Sequence, residues 1–230
     1  MVTIQLRTVG ELVAEQPSRS LVFEKLGIDY CCGGNVTLEA ACLQSGHAVE
    51  TVLPMLSATV SAEEPIDWRT QPLDQLIDHI LFTHHSYLQE NLPRLSALVA
   101  KVANRHSESH PELQQLHKQF EVFKISMEGH LASEEKIIFP VILSQLLANG
   151  EATATQTAKE TLPTIFREHD IVGEDLRTMR KITENYMPPP DACNSYRAML
   201  DGLEALERDI HIHVHLENNI LFPRASVLMA

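Results

Sequence analysis

Two segments of the chain, HLASEEKIIFP from His130 to Pro140 and HVHLENNILFP from His213 to Pro223, coincide at histidine, glutamate, isoleucine, phenylalanine and proline. An internal repeat of this kind means that one supersecondary unit is used twice. The repeat also extends upstream: FTHH, ending at His85, precedes His130 by almost the interval that separates FREH, ending at His169, from His213. Each half therefore supplies one histidine and then His-x-x-x-Glu.

Residues four apart on a helix differ by about 40° around the axis and by about 6 Å along it, so His130 with Glu134, and His213 with Glu217, project from one face. One such pair is common on a solvated helix face; its repetition, each time with an upstream histidine, is what points to a metal. If the helices pack antiparallel, His85 and His169 come from the remaining two, and six groups converge in the interior of a bundle. Four imidazoles and two carboxylates suit two metals. Nitrogen and oxygen donors without thiolate argue against structural zinc or an iron-sulfur cluster, and favour iron, with manganese second. If both glutamates bridge, the six residues offer about eight donor bonds, which leaves open positions on ions that prefer about six.

The apolar spacing supports that architecture. From Pro72 onward it is helical in four blocks, about 72–104, 111–147, 154–186 and 191–227, separated by SESHP, ANGE and the triple proline Pro188 to Pro190. Pro72 and Pro111 suit first helical positions, and Pro93 and Pro163 are expected to kink or interrupt their blocks. Ahead of the bundle, residues 1–58 read as a small helical domain: helices around Val9 to Glu15, Arg19 to Leu26 closed by Gly27, one after the N-cap Thr37, and one from Ala48 to Leu56. Residues 59–71 read as a linker and 72–230 as the bundle. The fold class expected is all-α.

Composition excludes several partners. With 31 Asp and Glu against 18 Lys and Arg, the net charge of -13 disfavours nucleic acid and anionic membranes. No stretch has the length and apolarity of a membrane span, and the start lacks a basic segment followed by an apolar one, so a cytoplasmic location is expected. Four cysteines without a regular framework fit a reducing compartment.

Two of the cysteines are adjacent. Cys31 and Cys32, in DYCCGGN, are too close along the chain for a relaxed disulfide, and Gly33 and Gly34 permit close backbone approach. A following helix N-terminus would favour thiolate, so redox exchange or transient metal binding is the expectation; two buried inert thiols are the alternative. A zinc site from Cys31, Cys32, Cys42 and His47 can be written, but matches no familiar zinc spacing. Cys193 is expected to pack as a small apolar residue. His106 follows His85 by about 31 Å on an unbroken helix and is a doubtful seventh ligand. His79, His84, His110, His117, His211 and His215 read as surface residues or as supports behind the ligands.

These features resemble the iron-sulfur cluster repair di-iron proteins, also called repair of iron centres proteins, whose bundle is hemerythrin-like. The likeness rests on DYCCGG, IDHI at Ile77 to Ile80, His85, EHD at Glu168 to Asp170, the PPP-x-A-C segment and LENNILFPRA near the end. It implies a hemerythrin-like antiparallel four-helix bundle holding a non-heme di-iron centre on His85, His130, Glu134, His169, His213 and Glu217. Glu134 and Glu217 would be the carboxylate bridges, with an oxo bridge as a further element. It also implies restoration of iron-sulfur clusters damaged by oxidative or nitrosative stress, with weakly held iron as the donated species. Iron-sulfur proteins with damaged or apo clusters are then the partners, and a homodimer a candidate assembly. Cys42 is outside the motif. Two other functions suit the same open site: reduction of nitric oxide or a peroxide, and reversible dioxygen binding or sensing.

Overall fold

The computed structural model describes residues 4–59, 66–147 and 152–228; the middle of the expected linker, residues 60–65, and the ANGE turn lie outside them. Among the described residues there is no strand, only an isolated bridge between Thr8 and Thr37. No helix among them is long and apolar enough to cross a membrane. The fold is all-α. The chain divides into two compact units, Met1–Asp78 with His211–Ala230, and His79–Ile210.

The first unit begins with α1 (Val9–Glu15), α2 (Ser20–Leu26), α3 (Leu38–Gln44) and α4 (Val49–Ser57). Local chemistry sets their ends as the sequence implies. Thr8 Oγ1 accepts from Glu11 N at 3.2 Å while Glu11 Oε2 accepts from Thr8 N at 3.1 Å, a reciprocal cap on α1. Gly27 closes α2 in the left-handed region at φ 65°, and Thr37 caps α3. Backbone bonds from Val9 N to Val36 O (2.9 Å) and from Gly10 N to Gly34 O (2.8 Å) tie the loop after α2 to the start of α1. The unit also holds α5 (Leu73–His79) up to Asp78, the last turns of α10 (Asn194–Leu216), and α11 (Phe222–Leu228). Leu12, Phe23, Tyr30, Leu38 and Phe222 form its core.

The second unit contains α6 (Ser86–His106), α7 (Glu112–Ser133), α8 (Phe139–Leu147), α9 (Ala152–Ile182) and α10 as far as Ile210. Leu88, Leu92, Leu95, Val99 and Val102 line one face of α6, and Leu113, Leu116, Phe120, Phe123 and Met127 one face of α7; all are buried. Each large side chain so buried contributes about 1.5–3 kcal/mol, which is why these amphipathic segments are helices at all. A Cβ at Gly202 would come within 2.6 Å of Leu95 Cδ2, so the approach of α10 to α6 uses the absence of a side chain there.

Three expectations are corrected. Pro93 and Pro163 do not interrupt their helices, which run on through them. The third block stops at Ile182 rather than 186, because Glu184, Asn185 and Tyr186 adopt left-handed backbone (φ 49°, 61° and 57°). That costly conformation is held by Thr183 Oγ1 accepting from Tyr186 N (3.2 Å) and by burial of Tyr186 under the Arg180 guanidinium. Finally, the helices expected to start at Pro72 and Pro111 begin one residue later, at Leu73 and Glu112.

Candidate metal centre

Three π-helical segments interrupt the helices, and each carries a residue singled out by the repeat. The first, Ile80–His85, ends on His85; the second, Glu134–Ile138, starts with Glu134; the third, Glu217–Leu221, starts with Glu217. A π turn is wider than an α turn and less favourable, and such bulges occur mostly at functional sites. In the first of them the consecutive His84 and His85 are both buried.

Glu134 is wholly buried in the second unit, and three imidazoles aim Nε2 at it. His85 Nε2 is 3.4 Å from Glu134 Oε2, while His130 and His169 present Nε2 at 3.3 and 3.7 Å from Oε1. His130 and His169 also face one another through Nε2 at 3.1 Å. Two donors each about 2.1 Å from one ion are about 3.0 Å apart at right angles and about 3.4 Å apart tetrahedrally, so these separations suit atoms that share a cation. In the first unit His213 and Glu217, both fully buried, repeat the arrangement with Nε2 and Oε1 3.1 Å apart.

The opposite edges of the rings explain the aim. His85 Nδ1 meets Glu135 Oε1 at 2.9 Å, and Gln89 Nε2 donates to the same oxygen at 2.9 Å; His130 Nδ1 meets Glu168 Oε2 at 2.9 Å. A neutral imidazole has one N–H, and a carboxylate on Nδ1 draws that proton there. The Nε2 lone pairs of His85 and His130 then point at the negatively charged oxygens of Glu134. That contact is repulsive unless a proton or a metal cation stands between them, and carboxylates behind histidines are the usual support of a metal ligand. This donor set fits a metal such as iron. The roles of Glu135 and Glu168 were not anticipated from the sequence; Glu135 gave no signal beyond lying next to Glu134, and Glu168 only its place in the EHD motif beside His169.

The remaining histidines fall into several groups. His84 is buried with Nδ1 2.9 Å from Asp209 Oδ1, and His215 is buried with its imidazole pushed down to about 4 by burial, so neither is a surface residue. His79, His110, His117 and His211 are half-buried. His106, the doubtful seventh ligand, instead meets Cys193: Nε2 and Sγ are 3.2 Å apart, and Cys193 is exposed rather than packed as an apolar residue.

The zinc group that could be written from Cys31, Cys32, Cys42 and His47, already against the familiar spacings, does not assemble. His47 Nε2 is engaged by Leu26 O at 2.9 Å, and Cys42 is buried; the group that forms is Asp29, Cys31 and Cys32. The expectation that a helix end would favour thiolate also fails for Cys31. The neighbouring Cys32 thiol, then burial and the Asp29 carboxylate, hold its thiol well above the ordinary range, and no helix starts before Leu38.

Comparison with known proteins bears on the same residues. Residues 76–225 match the hemerythrin HHE cation-binding domain, and residues 5–59 match ScdA_N, a domain of unknown function. Proteins called iron-sulfur cluster repair protein YtfE are similar along nearly the whole chain. The one from Enterobacter sp. (strain 638) is 37% identical over 219 residues, covering 94% of this chain and 95% of the relative. Those from Citrobacter koseri and Escherichia coli O8 are 36% identical with the same coverage. With a buried cluster of histidine and glutamate that suits a metal, and with these matches over its length, the chain belongs to the hemerythrin HHE cation-binding family and, within it, to the iron-sulfur cluster repair proteins.

Proposed function

We propose that His85, His130, Glu134, His169, His213 and Glu217 together hold two iron ions, with Glu134 and Glu217 as the bridging carboxylates, and that the protein returns iron to damaged iron-sulfur clusters. The observation that carries the reading is the aim of the Nε2 atoms of His85, His130 and His169 at the wholly buried Glu134. Support for the second half of the site comes from the internal repeat and from the family match, which takes in all six residues in one span, 76–225. The name that the relatives carry, iron-sulfur cluster repair protein, supplies the role.

The division of labour follows from the chemistry of the side chains. The imidazoles are neutral donors and the two glutamates the compensating charges; Glu135 and Glu168 fix the ring orientation of His85 and His130. Bound iron would supply open coordination positions and readily changed oxidation state. Few protein donors per ion, about four of the roughly six that iron prefers, make release easier than from a closed structural site. We further propose that residues 1–58 and 72–230 act as a thiol-bearing domain and a metal-holding domain, joined by 59–71, with Cys31 and Cys32 assisting transfer. Proteins with damaged or apo clusters are the partners of this reading.

The test is iron transfer from the purified protein to an apo iron-sulfur protein, with helicity recorded for each variant. Glu134→Leu is expected to stay helical, to lose bundle iron and to lose transfer. Unchanged transfer by the folded variant would overturn the proposal.

A further inference from the structure

The loop between α2 and α3 places a second set of donors together in the first unit. Cys31 and Cys32 are not disulfide-bonded and have Sγ atoms 4.0 Å apart. Asp29 Oδ1 accepts from Cys31 N and from Cys32 N, each at 3.0 Å, and from the Cys31 thiol at 3.3 Å. The ligand atoms of all three residues lie within 4.8 Å of one another.

These separations carry information. Two thiolates at about 2.3 Å from one tetrahedral first-row ion are about 3.8 Å apart, and a thiolate and a carboxylate oxygen on the same ion about 3.5 Å apart. Two of the three separations, between the sulfurs and between Cys31 Sγ and Asp29 Oδ1, therefore stand within a few tenths of an ångström of a chelating arrangement without any ion. Besides the Asp29 carboxylate, a side chain outside the donor set holds the backbone around it. Asn219 Nδ2 donates to Cys31 O at 3.0 Å and to Tyr30 O at 3.3 Å. The fit is close, because a Cβ at Gly34 would fall 2.1 Å from Asn219 Oδ1 and one at Gly10 would fall 2.5 Å from it. Asp29 is exposed and Cys32 half-buried, which leaves one side of the group open to water or to a donor from another protein.

We propose that Asp29, Cys31 and Cys32 form a second metal site, which takes one divalent first-row cation of the iron(II) or zinc(II) class and is separate from the histidine and glutamate cluster. Binding forms two sulfur-metal bonds and breaks two S–H bonds; both protons leave to solvent, and no electron is transferred. Asp29 supplies the third donor and the fourth position stays exchangeable. Because two protons are released per cation, apparent affinity rises by about a hundredfold per pH unit while both thiols are protonated. The site does not depend on what the bundle binds.

The experiment uses the full chain, reduced, anaerobically supplied with iron(II) and then freed of weakly held iron by a chelator and gel filtration, before titration with cobalt(II) alone as the probe. A near-ultraviolet thiolate-to-cobalt band saturating at one cobalt per chain is expected, and the histidine and glutamate cluster has no sulfur with which to produce it. Cys32→Ser should abolish the band, Asp29→Asn should require at least about tenfold more cobalt, and Cys42→Ser should titrate as the unaltered protein does. Absence of the band in the unaltered protein, or an unchanged titration in both Cys32→Ser and Asp29→Asn, would overturn the site. A chain that takes up no iron yet shows the band would count against the di-iron reading and leave this site standing.

Discussion

The two copies of the repeat carry the same His-x-x-x-Glu and then diverge at the next two positions. After Glu134 come Glu135 and Lys136; after Glu217 come Asn218 and Asn219. Glu135 turns to His85 Nδ1 and fixes a candidate ligand, whereas Asn219, helped by Asn218 at 3.5 Å, takes the carbonyl oxygen of Cys31. A carboxylate accepts a hydrogen bond from an imidazole, and an amide N–H donates to a carbonyl, so Asn218 in place of Glu135 and Asn219 in place of Lys136 change what the segment can hold. One copy supports the metal centre with its neighbours; the other uses the same turn to anchor the thiol loop.

The largest effect should come from the residues in which the copies agree. Glu134→Leu and Glu217→Leu are each expected to reduce iron content well below the proposed value of about two per chain, as measured by metal analysis after anaerobic reconstitution. Loss in one variant alone would break the equivalence of the copies. Metal-free Glu134→Leu should unfold at the same or a higher temperature than the unaltered chain, because a buried carboxylate is replaced by an apolar group of similar volume.

The next effect separates the copies. Glu168→Gln and Glu135→Gln leave the ligand atoms in place and remove the carboxylate behind a ring, so iron affinity by competition with a chelator should fall about 10–100-fold. Asn219→Ala should leave iron affinity within about twofold while increasing the rate of alkylation of Cys32. An equal loss of iron in Asn219→Ala would mean that the two turns do the same work after all.

A smaller effect concerns packing around Asn219. Gly34→Ala should destabilise the chain by about 1–3 kcal/mol in denaturant titration, since its methyl would collide with the Asn219 amide. Asn219→Ala should cost about 1 kcal/mol from lost hydrogen bonds. The double variant should lose less than the sum, because removing the amide makes room for the methyl.

The smallest is a pH dependence. The Cys31 thiol is held above its ordinary range by Cys32, burial and Asp29, so folding favours the protonated form. Its contribution to stability is full below the unfolded thiol value of about 8.5 and is lost as pH rises above it towards the folded value. Unfolding free energy measured from pH 8 upward should therefore decline less steeply in Cys31→Ala than in the unaltered chain.

Much of this was legible from residue spacing. The amphipathic periods of α6 and α7, the cap at Thr37 and the left-handed Gly27 each depend on a few neighbouring residues, so the helices they delimit follow from local chemistry. The π turns at His85, Glu134 and Glu217 do not, because an α and a π turn present nearly the same apolar pattern and differ by one residue in register. Nor did the composition of the third block disclose where it ends. The stop at Ile182 depends on Tyr186 being buried beside Arg180, a contact that outweighs the cost of three left-handed residues.

The same division applies to the chemistry. By itself the sequence determined the helical class, the repeated His-x-x-x-Glu and the upstream histidines, because those rest on periodicity and repetition along the chain. Only the tertiary structure decided that Glu135 and Glu168 stand behind His85 and His130, that His106 meets Cys193, and that Asp29 joins Cys31 and Cys32 under the hold of Asn219. Such partners are chosen by distance and direction in space. A glutamate beside a ligand reads the same in the sequence whether it faces water or an imidazole, and only packing settles which.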